Sequence, residues 1–138
     1  MGSDPVYQAW QDESLCEYAL MDYIGTYYGA SSRQDAVYQR IETAMRITVP
    51  RGVTPGSPID YFADLAEYTQ VVYHRGAALW TALETMMGKD ALDAALRSYQ
   101  QQYRFATASR ADVTRLLSEH AGRDLTALMV DYLDTYID

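Results

Sequence analysis

The sequence predicts an all-α fold, a single bundle of about five to seven helices. Three observations lead there. Apolar residues recur at helical spacing along nearly the whole chain, alternating period-two runs are absent, and glycines or box-like caps punctuate the stripes. A short extended piece at Ile47 to Val49 is the one candidate exception.

The elements follow in order. Cys16, Leu20, Tyr23, Ile24 and Tyr27 form the first stripe, with Gly29 as its stop. Ser32-Arg33-Gln34-Asp35 resembles a capping box opening the second helix. Val37, Ile41, Ala44, Met45 and Thr48 are its core face. Val49 to Pro58 holds three prolines, which no helix interior accepts, so it reads as a loop within one domain. Val72, Leu79, Leu83, Met86 and Met87 then share a face, with Tyr73, Ala77 and Trp80 on the adjacent one. A helix apolar over that much of its girth is central. Gly88 ends it. Leu92, Ala95, Leu96, Tyr99 and Tyr103 give the next stripe. Ser109 to Asp112 starts another helix, with Val113, Leu116 and Leu117 inward and Gly122 as its stop. Leu125, Leu128, Met129, Tyr132, Leu133 and Tyr136 close the chain.

Composition bounds the function. At 138 residues the chain is one domain's worth, long enough to bury roughly two thirds of its unfolded surface. Eleven Lys and Arg against 19 Asp and Glu give a net charge of −8. This argues against nucleic acid or an anionic membrane as partner, since both need a basic face. No apolar run approaches the ~20 residues of a transmembrane segment. The single cysteine, Cys16, excludes an internal disulfide framework. Thirteen Tyr against 2 Phe means that a core built from them must place phenol hydroxyls near partners.

Complete catalytic constellations are absent. His74 and His120 are far apart, with neither an H-x-x-x-H nor a C-x-x-C pair, so no full zinc site is visible. His120 lies where a helix C-terminus favours a cationic ring. Two clusters remain. Trp10-Gln11-Asp12-Glu13-Ser14-Leu15-Cys16-Glu17-Tyr18 sets acids beside large apolar groups at the head of a helix. Glu13 and Glu17 share a face with Leu20 and Ile24, so Glu13 is either a partner for the helix dipole or a ligand facing a pocket. Tyr68-Thr69-Gln70-Val71-Val72-Tyr73-His74-Arg75-Gly76 is either aromatic core or a second half-site.

Together the two clusters resemble the gluzincin peptidases of the M1 aminopeptidase type. In that family an H-E-x-x-H helix supplies two zinc histidines and a general base. A helix about twenty residues later carries the third ligand within a Trp-containing pattern. Trp10, Asp12, Glu13, Leu15 and Tyr18 match it, while Gln11, Ser14 and Cys16 depart from it. Tyr73-His74-Arg75-Gly76 with Tyr68 five residues earlier reproduces the family's second motif, and the order of elements after it also fits.

The resemblance implies the helical C-terminal half of a thermolysin-like catalytic domain. Glu13 would be the third zinc ligand, Tyr73 the donor to the oxyanion of the tetrahedral intermediate, and Tyr68 a supporting donor. Arg75 would be structural, and His74 inherits no role. Twelve residues precede Glu13 and none is histidine, so the expectation is a piece of a longer zinc peptidase, inactive alone. Its partners would be the remainder of the parent catalytic domain and a peptide substrate, with self-association through a bared apolar flank. The Glu13 carboxylate and the Tyr73 hydroxyl would face one open cleft, a substrate's width apart. The alternative is a non-catalytic helical interaction module related to the same family.

Overall fold

A computed structural model describes residues 4–49 and 52–135. Met1 to Ser3, Pro50, Arg51 and Tyr136 therefore lie outside the described residues. The fold is all-α, with no strand among the described residues, Ile47 to Val49 included. Seven α-helices run in order: α1 (Trp10–Tyr28), α2 (Ala30–Val37), α3 (Leu65–Tyr68), α4 (Gly76–Met87), α5 (Lys89–Tyr103), α6 (Arg110–Ala121) and α7 (Thr126–Leu133). No described helix is long and apolar enough to cross a membrane.

Two segments are wound wider than an α-helix. Tyr38–Glu42 extends α2 as a π turn, where the Thr43 amide donates to the Tyr38 carbonyl five residues back. Thr69–Arg75 is a longer π stretch joining α3 to α4, so 65–87 is one unbroken helical rod with a π middle. Such insertions in α-helices recur at functional sites.

As the sequence implies, α4 is central. Gly76, Ala77, Ala78, Leu79, Trp80 and Leu83 are buried, and α4 packs against α1, α5 and α7. The main core gathers Trp10, Leu79, Trp80, Leu83, Leu92, Leu116, Leu117, Leu125, Met129 and Leu133. The α6 start carries the capping box: Ser109 Oγ accepts from the Asp112 amide while Asp112 accepts from the Ser109 amide. The proline-rich loop is pressed onto the bundle. Val49 and Val53 pack with Val71, and the Gly56 amide donates to the Leu133 carbonyl at 2.8 Å.

Three expectations are corrected. Ser32 does not open α2, because Gly29, at φ +91°, makes the break and the helix resumes at Ala30. A positive φ is available to glycine without a Cβ clash. Ser32 sits inside α2 and its hydroxyl donates to the Tyr28 carbonyl. The α1 stripe is also rotated: Cys16, Leu20, Tyr23 and Tyr27 are exposed, whereas Gln11, Ser14, Glu17, Tyr18 and Met21 are buried. Polar groups go inside there because partners on α2, α4 and α5 satisfy them. Finally, the tyrosine excess is only partly internal. Tyr18, Tyr68 and Tyr99 are buried, while Tyr7, Tyr23, Tyr27, Tyr28, Tyr38 and Tyr61 are exposed.

α1 approaches the central rod closely at Ser14 and Gly76. A Cβ on Gly76 would stand 2.8 Å from the Ser14 Cβ, closer than two such carbons are found. Gly76→Ala should therefore destabilise the chain by about 1–3 kcal/mol, the range for overpacking. Ser14→Gly should recover part of that loss, a non-additive pair. Urea unfolding of the two single variants and the double variant checks both outcomes.

Candidate functional site

Glu13 lies in the first turn of α1, where a carboxylate is favoured by the helix dipole. Tyr68 ends α3 and Tyr73 lies in the π stretch that follows it. The Glu13 carboxylate lies close enough to both phenol hydroxyls to act on their ionisation. The structure thus brings together the three residues that the sequence singles out.

The π stretch explains how one carboxylate reaches both rings. An α-helix turns about 100° per residue, so side chains five apart diverge by about 140°. A π turn closes its hydrogen bond at the fifth residue and brings that side chain back toward the face of the first. The Tyr68 and Tyr73 rings accordingly meet edge to face, centroids 5.8 Å apart and planes at 78°. Phe62 extends the row, 5.3 Å from Tyr68 at 82°.

Both phenols resist ionisation. The Tyr73 hydroxyl is pushed well above its ordinary range by the Glu13 carboxylate beside it and by burial. Tyr68 is pushed upward first by burial, then by Glu13. Each therefore stays a protonated donor through neutral pH. The Cys16 thiol, exposed one turn from Glu13, is raised by desolvation and by the nearby Glu13 and Asp12.

The Glu13 carboxylate thus lies beside both phenols. The physical reason is local: a half-buried phenol needs an acceptor, and Glu13 is the charged one in reach. Tyr68 is buried, and Glu13 and Tyr73 are half-buried, so the trio sits at the bundle's edge.

The helix contact formed by Trp10, Gln11, Ser14 and Trp80 is buried and hydrogen-bonded. Trp10 and Trp80 stack at 6.4 Å. Trp80 Nε1 donates to Ser14 Oγ at 2.8 Å, and that hydroxyl donates on to the Trp10 carbonyl. Gln11 is buried, bonded to Gln8 and accepting from the Tyr99 hydroxyl. Each departure from the family pattern is thus accommodated: Ser14 and Gln11 by partners, Cys16 by exposure.

Residues 7–132 match the family model described as the peptidase family M1 domain. The chain belongs to peptidase family M1. No curated protein and no solved structure matches the chain. M1 peptidases are hydrolases of the metallopeptidase kind and generally zinc-dependent.

The residues described here do not fit zinc by themselves. A catalytic zinc takes three protein ligands, and no group of three His, Cys, Asp or Glu lies together among the described residues. Glu13 offers one carboxylate. His74 faces Glu17, with Nε2 3.8 Å from its Oε1, and burial pushes its ring toward the neutral form against the pull of Glu17. His120 bonds to Ser98 Oγ at 3.1 Å, far along the chain on α6. Arg75 is buried, and its Nε donates to the Ala44 carbonyl at 3.0 Å, a structural role.

Sequence reasoning missed the π stretch and the partners of Glu17. The five-residue spacing of Tyr68 and Tyr73 was the available signal for the first. Nothing in the spacing points to Arg40, which forks onto Glu17 through Nε and Nη2.

The raised tyrosines set an alkaline limit. Tyr99 is pushed up to about 12, by burial first and then by Asp12 and Tyr103. A folded pKa above the unfolded value of about 10 gives stability that is complete below pH ~10 and is lost as pH rises through ~12. Tyr18, bonded to Glu84, is raised further in the same direction. Urea midpoints should therefore hold steady to about pH 10 and fall steeply above it, and Tyr99→Phe should flatten part of that fall.

Proposed function

We propose that the chain is the helical C-terminal half of the catalytic domain of a zinc-dependent M1 peptidase. It contributes to peptide-bond hydrolysis in the intact parent and is inactive alone. The observation that carries this reading is the convergence of Glu13, Tyr68 and Tyr73 from separate elements at one half-exposed point. An anonymous helical domain has no need to wind its central helix wide in order to stack two phenols on one acid.

Each residue has a role suited to its chemistry. Glu13 supplies a carboxylate oxygen, a suitable third ligand beside two imidazoles brought by the rest of the parent domain. Tyr73 donates its phenol hydrogen to the oxyanion of the tetrahedral intermediate, for which a protonated, preoriented hydroxyl is required. Tyr68 supports it from the same side. Val6 and Ile59 are exposed apolar residues held together by the Ile59 amide and the Val6 carbonyl at 3.0 Å, and Tyr7, Tyr61 and Leu65 are exposed near them in sequence. This apolar flank suits the remainder of the domain, and in its absence it favours self-association.

Joined to the parent segment that carries H-E-x-x-H, Tyr73→Phe should lower kcat on the order of a hundredfold or more. The zinc content measured by atomic absorption should stay intact. Glu13→Gln should lower the zinc content itself. In calorimetry the chain alone should bind zinc no better than scattered carboxylates, and stoichiometric micromolar binding would overturn the half-site reading.

A further inference from the structure

We infer that Glu17 is a positioning residue for Tyr73, the pin on which both π-helical segments of the molecule close. Glu17 sits one turn beyond Glu13 on α1 and is 4 % exposed, rare for a carboxylate unless it is paired. Two groups meet it. Arg40, from the π turn Tyr38–Glu42, grips both its oxygens, Nε on Oε1 and Nη2 on Oε2 at 3.1 Å. His74, from the π stretch Thr69–Arg75, brings Nε2 to 3.8 Å from Oε1.

Three consecutive residues of that stretch are thereby set against fixed neighbours. Tyr73 lies beside Glu13, His74 lies on the Glu17–Arg40 pair, and Arg75 donates to the Ala44 carbonyl just beyond the first π turn. These outside contacts hold the stretch in its wide winding. Glu13 and Glu17 stand at i and i+4 on one rigid helix, so the distance between the Tyr73 and His74 anchorages is set by α1. Removing the Glu17–Arg40 pair on which the His74 ring packs lets the stretch revert toward α winding. That turns Tyr73 away from Tyr68 and off Glu13. The catalytic meaning of this device rests on the function proposed above, but the device itself is a matter of ring geometry and is read without turnover.

The test uses the whole chain labelled at the tyrosine Cζ carbon, with the Tyr73 signal assigned by Tyr73→Phe. In Glu17→Ala the Tyr68–Tyr73 ring cross-peak should be lost, and the Tyr73 Cζ resonance should move to the position of the exposed tyrosines. The Tyr18 and Tyr99 signals should stay in place. Glu17→Gln, which keeps an acceptor for Arg40, should retain the cross-peak. If Glu17→Ala does not fold, Arg40→Met, a change at a side chain that reaches the surface, should give the same selective loss. Unchanged Tyr73 signals in a folded Glu17→Ala or Arg40→Met overturn the inference. So does an equal loss at Tyr18 and Tyr99, which marks Glu17 as merely structural.

Discussion

The close approach of α1 to the central rod, Ser14 against Gly76, is the constraint on which the rest of the molecule depends. Two helices can come this near only where neither carries a bulky side chain, and here one carries none. The reward is local. Trp10 and Trp80 stack across the contact, and the Ser14 hydroxyl answers the indole that would otherwise be buried without a partner. With the backbones that near, residues one turn along α1 come within reach of residues just before Gly76. Glu13 meets Tyr73 and Glu17 meets His74 because Ser14 has already met Gly76.

This gives the two M1 motifs a shared physical sense. The acid and the following small residue on α1, and the tyrosine and the following glycine on the rod, are two sides of one contact. Glu13 and Tyr73 stand at its edge, Ser14 and Gly76 at its centre. The departures at Ser14 and Gln11 are tolerated because each brings a hydrogen-bonding group that finds a buried partner.

Much of this was legible in the sequence. The α4, α5, α6 and α7 faces follow helical spacing closely, because their cores are built from Leu, Val, Met and Trp, whose burial is governed by apolar area. The stripe on α1 misleads for the opposite reason. Its inner face is Gln11, Ser14, Glu17 and Tyr18, whose burial is decided by partners from distant elements such as Arg40, Glu84 and Tyr99. A periodicity argument weighs hydrophobicity and cannot see those partners. The α2 start failed similarly: Gly29 outranks the Ser32 box because a left-handed break interrupts any helix that reaches it. Around Glu13, the meeting of the Tyr68 and Tyr73 rings depends on a π winding that a 3.6-residue template does not contain.

That winding has a consequence for how the chain tolerates insertions and deletions. The segment 69–75 behaves like a vernier set against the fixed scale of α1: one residue more or fewer shifts every later side chain around the rod by a large fraction of a turn. Residues 52–58 meet the bundle at separate points, Val53 on Val71 and the Gly56 amide on the Leu133 carbonyl, with no helical register between them. A residue added between the two tyrosines breaks their meeting, however well the rest of the rod is kept.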